Sequence, residues 1–286
     1  VSWRPYVPWL WLLPAGALLI PFFILPLGIV VRNSVNRDDP NGFMVVDFTG
    51  DNYARVLTDP YYLQVFANTL IVAGLVTALS LFIAYPFALL ITRASARTRV
   101  LLLWTVYLPL YVSVIMRAFG WTVILADSGI VNQMLLATGI IHAPLRILFQ
   151  FDGMTIGILH RYLPLMIIPL VAALQKIDLS LNRASSNLGA SRWRTLMRVT
   201  VPLSLPGIAA GAQLVFAGVL SDYALPALLG STQYQLTAPA IYYEAVTNTS
   251  WALAGAMATL VLGIVALFLV LANLTLQRFA PWASSL

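Results

Sequence analysis

Arg183-Ala184-Ser185-Ser186-Asn187-Leu188-Gly189-Ala190-Ser191-Arg192-Trp193-Arg194-Thr195-Leu196-Met197-Arg198-Val199-Thr200-Val201-Pro202-Leu203-Ser204-Leu205-Pro206-Gly207 reads as two short helices that meet at a turn. A helical turn of small residues, Ala184 to Leu188, runs into Gly189, which admits the left-handed backbone that ends a helix. Ser191 then supplies an N-cap for a second helix expected over 192–199, and Pro202 and Pro206 are expected to stop it. Trp193, Leu196 and Met197 fall at i, i+3 and i+4 and so share one face, flanked by Arg192, Arg194 and Arg198. An amphipathic element of this kind fits either a partner's groove or the membrane surface.

Outward from this elbow the chain is dominated by apolar runs. Its 286 residues are 60% hydrophobic and only 9% charged, with a mean hydropathy of +0.87, where a soluble domain carries about 25% charged residues. A water-soluble enzyme is therefore excluded. The absence of cysteine removes disulfide scaffolds, thiolate metal sites and cysteine nucleophiles, and two histidines leave little for metal chemistry. A membrane helix needs about 20 apolar residues, and six stretches qualify, at about 8–31, 63–91, 100–126, 153–175, 205–230 and 250–277. The first is too long and too rich in proline for a cleaved signal segment, and Trp9 and Trp11 stand where interfacial anchors would. The polar loop from Ser34 to Tyr62 carries turn signals at Asp39-Pro40-Asn41-Gly42 and Asp59-Pro60.

The net charge of +6 acquires meaning only by side. With six spans, one side carries ten basic residues (Arg4, Arg93, Arg97, Arg99, Lys176, Arg183, Arg192, Arg194, Arg198 and Arg278) against Asp178 alone. The other carries four arginines, at 32, 37, 55 and 146, against nine acids. Arg117 and Arg161 fall within spans. The positive-inside bias places both termini and the 176–204 loop in the cytoplasm, and the charges, set at loop ends beside lipid and not in a stripe, exclude a nucleic-acid surface.

The spacing from Arg183-Ala184-Ser185 through Gly189 to Val199-Thr200-Val201-Pro202 resembles the coupling loop of ABC importer permeases, the EAA motif E-A-A-x3-G-x9-I-x-L-P. Gly189, Pro202 and Ala184 match, whereas Arg183 stands where the family has Glu and Ser185 replaces the last Ala. Asn52-Tyr53-Ala54-Arg55-Val56-Leu57, Asn68-Thr69-Leu70, Tyr85-Pro86-Phe87-Ala88, Arg117-Ala118-Phe119-Gly120-Trp121, Gly129-Ile130-Val131-Asn132 and His160-Arg161-Tyr162-Leu163-Pro164 extend the resemblance to the spermidine/putrescine and opine branch, over nearly the whole chain. The resemblance implies an all-α polytopic membrane protein of six transmembrane helices with the type I importer (MetI-like) permease fold, a single transmembrane domain over 1–286. It further implies a bacterial inner-membrane location, a companion permease, two ATP-binding cassette subunits and a periplasmic substrate-binding protein. Arg183, Ala184, Ser185, Gly189, Ala190, Trp193, Leu196 and Pro202 would then couple to the ATPase. No G-x-x-x-x-G-K-[ST] loop is present, since the one lysine, Lys176, follows Gln175. ATP and Mg are accordingly expected on the partner subunits, with no cofactor and no catalysis in this chain.

Ionisable groups at membrane depth are costly and mark functional positions. Arg117, Asp127, His160, Arg161, Asp222 and Glu244 qualify. Asp222 is the sharpest: it sits in Ser221-Asp222-Tyr223-Ala224-Leu225-Pro226, and a carboxylate beside aromatic rings suits an ammonium ion. Substrate-path candidates are Asp222, Tyr223, Glu244, Trp121, Tyr111 and Arg117, with Tyr107, Tyr242 and Tyr243 as further aromatic walls. One or two acids against two arginines is thin provision for a polyamine, and would suit a zwitterion such as an opine better. An ion-coupled secondary transporter is the rival class. It calls for matched inverted halves, and no internal repeat is evident. A membrane enzyme lacks a nucleophile–base cluster around His142 or His160.

Overall fold

In hydrocarbon an apolar segment must satisfy its own backbone, which a helix does unaided, and helices account for nearly all the regular structure of the computed structural model. It describes residues 14–39, 44–231 and 233–279. Arg4, Trp9, Trp11 and the start of the first expected span lie outside the described residues.

The elements in order are α1 (Pro14–Asn33), a two-stranded antiparallel ribbon of β1 (Arg37–Asp38) and β2 (Met44–Val45), α2 (Asp51–Thr58), α3 (Pro60–Arg93), α4 (Ala96–Tyr111), α5 (Val114–Leu125) and α6 (Ile130–Ala137). There follow α7 (Phe151–Gln175), α8 (Leu179–Asn187), α9 (Arg192–Leu203), α10 (Leu205–Leu220), α11 (Ala224–Leu229), α12 (Thr237–Tyr242, continued by a π turn over Tyr243–Thr247) and α13 (Trp251–Phe279). Among the described residues five segments are long and apolar enough to cross a membrane, namely α1, α3, the α5–α6 run Val114–Ala137, α7 and α13. The bent pair α9 and α10 makes a sixth.

Two expected spans are interrupted. The stretch 100–126 breaks at Val112–Ser113, whose backbones are extended. The Arg117 guanidinium reaches back across the break to the Pro109 carbonyl, which also accepts the Val112 amide, and to the Val112 carbonyl. The stretch 205–230 stops at Leu220 and resumes at Ala224. A helix running through this point would drive the Pro226 ring into the carbonyl of Asp222 four residues earlier; the break instead places Pro226 in the first turn of α11, where no donor is missed.

The chain divides into two compact units. In the first (Val1–Leu63 with Ala240–Leu262), the polar loop after α1 is structured. β1 and β2 pair across the expected turn, with Arg37 opposite Val45 and Asp38 opposite Met44, while residues 40–43 lie outside the described residues. The Asp38 carboxylate accepts hydrogen bonds from the Ala252 and Leu253 amides at 2.8 and 3.2 Å, capping α13 across a long sequence separation. Asn52 donates to the Ser34 and Asn36 carbonyls, tying α2 down. At Asp59-Pro60 the Asp59 carboxylate accepts from the Tyr61 amide at 2.9 Å and opens α3.

The core of the second unit (Gln64–Pro239 with Gly263–Leu286) is the seam between α7 and α10. Met154, Ile158, Met166 and Leu170 of α7 and Val215, Val219 and Leu220 of α10 are buried there. Small residues let the two backbones approach, as membrane helix interfaces require: a Cβ on Gly211 would stand 2.7 Å from the Met166 sulfur. The Tyr162 hydroxyl donates to the Gly218 carbonyl across the seam at 2.7 Å. α10 is therefore held to α7 along its length and moves with it.

Candidate functional site

The elbow forms from caps written into adjacent residues. The Asp178 carboxylate accepts from the Ser180 amide at 2.8 Å and starts α8; that backbone bond, with Arg183 contributing less, holds its carboxyl below the usual carboxylate range. α8 ends in a Schellman motif: the Gly189 amide donates to Ser186 and the Ala190 amide to Ser185, with Gly189 at φ 77°. Ser191 caps α9 by accepting from the Arg194 amide at 3.3 Å. The two arms are stitched by a 2.8 Å hydrogen bond between the Ser185 and Thr195 hydroxyls. Ser185 thus supplies a link between the arms that an alanine lacks.

The second arm runs further than expected. Pro202 does not end α9, which continues to Leu203. A π turn over Leu196–Thr200, with the Val201 amide donating to the Leu196 carbonyl, shifts the ladder by one residue just ahead of the proline, so its missing N–H leaves no regular bond broken. The stop falls at Ser204, and Pro206 lies in the first turn of α10. α9 and α10 meet there at 64°. The Ser204 hydroxyl bonds the Val201 carbonyl and pairs with the Tyr85 hydroxyl of α3 at 3.0 Å, which fastens the bend to a membrane-spanning helix.

The elbow's outer face is apolar and bare. Leu188 is 89% exposed, Trp193 67% and Met197 44%, while Leu196 is half-buried and Thr195 buried. Arg183, Ala184, Arg192, Arg194 and Arg198 are exposed around them. No carboxylate stands among residues 179–204. Exposed large apolar side chains ringed by like charges mark a surface built to be covered, by a partner or by lipid.

The membrane-depth charges are arranged differently. Asp222 is 4% exposed and has two partners: its Oδ1 accepts from the Leu225 amide at 3.4 Å, capping α11, and its Oδ2 lies 3.7 Å from Arg161 Nε. Neither Asp222 Oδ2 nor Arg161 Nη1 makes a hydrogen bond, so the pair is held by charge across the end of the α7–α10 seam. Arg117 stands within electrostatic reach of both, yet its hydrogen bonds go to the Pro109 and Val112 carbonyls and not to an acid. Trp121 Nε1 donates to His160 Nδ1 at 3.3 Å, edge-on. Tyr223 is half-exposed, and Tyr111, at the end of α4, is exposed. The structure thus gathers Arg117, Arg161 and Asp222 with Trp121–His160 nearby on α5 and α7, and leaves Tyr111 apart.

Glu244 belongs to the first unit. It is 5% exposed in the π turn after α12, accepting from the Tyr62 hydroxyl and from Asn248 Nδ2, both at 2.9 Å. Both acids singled out for an ammonium group are therefore committed to internal partners. Leu225 and Asn248 are near neighbours in the chain, whereas Arg161 and Tyr62 lie far off in sequence and leave no local sign. Among the described residues no group of acids, histidines or cysteines is placed to hold a metal ion.

Residues 129–279 match the family model described as the binding-protein-dependent transport system inner membrane component. The chain is 36% identical over 233 residues to the spermidine/putrescine transport system permease protein PotB of Haemophilus influenzae, covering 82% of this chain and 81% of that one. It is 32% identical to PotB of Escherichia coli over 88% of this chain and 92% of the relative. Among solved structures, a chain of a bacterial alginate ABC transporter in complex with its pentasaccharide-bound periplasmic protein superposes with a TM-score of 0.77 at 20% identity, covering 96% and 95% of the two chains.

Proposed function

Because the chain belongs to the binding-protein-dependent transport system inner membrane components, a multi-pass, non-catalytic permease subunit of an ABC importer, we propose that it forms half of the pathway for a polyamine or a related amine. Spermidine and putrescine are named for the PotB relatives and are the first substrates to test. A companion permease completes the pathway, a periplasmic binding protein delivers the solute, and two cassette subunits bind ATP and Mg. Both termini face the cytoplasm, on the side where basic residues concentrate.

The observation that carries the mechanism is the elbow, capped at each end and bare on its outer face. Leu188, Trp193 and Met197 seat in a groove of the cassette subunit, and the four surrounding arginines select an acidic rim. Arg183, where the family has Glu, belongs to that cationic set. Closure of the cassettes pushes α8 and α9 as one body, because Ser185–Thr195 and the glycine turn leave little play between them. The push reaches α10 through the bend at Ser204 and passes to α7 along the glycine-lined seam.

Gly189→Val tests this. At φ 77° a β-branched residue is strained by about 1–2 kcal/mol, so the arms splay while the spans are untouched. In proteoliposomes holding the whole importer, ATP hydrolysis is expected to continue while uptake of labelled spermidine falls by about tenfold. Uptake equal to that of the unaltered importer contradicts the role given to the elbow.

A further inference from the structure

An amine substrate needs a carboxylate, and most of this chain's ten acids are already committed. Asp38, Asp59, Asp178 and Asp222 cap helices, Asp47 and Asp51 lie within ion-pair distance of Arg37, Glu244 is enclosed by Tyr62 and Asn248, and Asp39 is also engaged. Among the described residues Asp127 and Asp152 remain without a partner, and Asp152 lines a cavity of about 730 Å³.

That cavity lies at the N-terminal end of α7. The elbow follows the other end of the helix, about 37 Å away, so the cavity opens on the side from which an importer is loaded. Its walls include Asn68 of α3, Arg146, Gln150, Phe151, Asp152 and Tyr234. Phe151 and Tyr234 meet edge-on with ring centres 5.7 Å apart, and the Asn68 amide is turned toward the Gln235 carbonyl. Asp152 also sits in the first turn of α7, where an acid complements the helix dipole. That role leaves its carboxylate without a partner, and Asp152, exposed to solvent, lines the same space as two aromatic residues and two carboxamides. Arg146 lines the same cavity and pairs with no acid among the described residues.

We propose that this outer cavity is an entry subsite for an organic ammonium group, with Asp152 as its carboxylate and the Phe151–Tyr234 pair as its aromatic wall. Carboxylate and ring faces together hold an alkylammonium by charge and by cation–π attraction. Arg146 opposes a second positive charge, so the subsite takes one end of a polyamine at a time and releases it inward. The assignment rests on the amine reading of the substrate and adds a binding residue outside the membrane-depth cluster.

The test is uptake of labelled spermidine and putrescine, at low concentration, by the complete importer in proteoliposomes, with co-purification of all subunits confirming assembly of each variant. Asp152→Asn is expected to lower spermidine uptake by about tenfold, Asp152→Glu to restore it to within about twofold, and Arg146→Gln, which removes the opposing charge, to raise it about twofold. Tyr234→Leu, which keeps the carboxylate, is expected to lower it severalfold and serves if Asp152→Asn fails to assemble. Wild-type uptake by Asp152→Asn or, where that variant does not assemble, by Tyr234→Leu overturns the subsite alone. Equal losses in Asp152→Asn and Arg146→Gln overturn it in favour of a docking surface for the binding protein. An unaltered importer that moves neither amine overturns the amine reading and this assignment with it.

Discussion

The two ends of α10 are both helix breaks, and they are built from opposite materials. At the elbow end Ser204 turns the chain by 64°, with side-chain contacts made by its own hydroxyl and that of Tyr85. At the far end Asp222 turns it with a buried carboxylate facing Arg161 at 3.7 Å. Neutral hydroxyl contacts contribute about 1 kcal/mol each and exchange readily. An ion pair of a buried carboxylate and a half-buried guanidinium is held at a desolvation cost, and losing one partner leaves an uncompensated charge. The two ends therefore differ in what holds them, weaker neutral contacts at the elbow end and charge at the far end.

The comparison breaks most visibly at the charged end. Asp222→Ala leaves the half-buried Arg161 without its counter-charge and is expected to destabilise the subunit by about 2–3 kcal/mol. The measurement is thermal unfolding of the purified importer in detergent. The paired variant Asp222→Asn with Arg161→Gln is expected to recover most of that loss, since a buried pair replaced by neutral groups is close to neutral in stability. A single variant as stable as the unaltered protein shows that the pair does not lock this end.

At the neutral end the effects are smaller and fall on coupling. Ser185→Ala removes the hydroxyl link between the elbow's arms and is expected to cost about 1 kcal/mol locally. Subunit stability should be unchanged, with uptake per ATP hydrolysed reduced about twofold. A fall in thermal stability as large as that of Asp222→Ala would erase the contrast between the two ends.

How much of this was legible in the sequence follows from how far each partner lies along the chain. Gly189 and Ser191 are set by neighbours within five residues and stand as the spacing predicts, while of the expected face Trp193 and Met197 are exposed and Leu196 is half-buried. The membrane-crossing helices follow from apolar length alone. The breaks at Val112–Ser113 and Ser221–Tyr223 lie inside apolar runs that hydropathy reads as continuous; Arg117 folds back across the first, and the clash of Pro226 with Asp222 sets the second. Pro202 reads as a stop because a regular helix cannot hold it, whereas a π turn can. Asp222 and Glu244 read as open acids because Arg161 and Tyr62 are brought to them only by the fold. Asp152 is a dipole-complementing acid by its sequence neighbours, and its cavity appears only when α3, α7 and the segment at Tyr234 are assembled.

The absence of cysteine from these 286 residues permits a direct test of the central claim, that the bare face of the elbow bears on a nucleotide-driven subunit. Leu188→Cys, at the most exposed apolar position of the elbow, places a single thiol on that face. A short thiol-to-amine cross-linker applied to the assembled importer in membranes is expected to join this residue to the cassette subunit, with a yield that changes between ATP-bound and nucleotide-free states. A thiol that reacts only with water-soluble or lipid reagents, and yields no cassette adduct in any nucleotide state, contradicts the account.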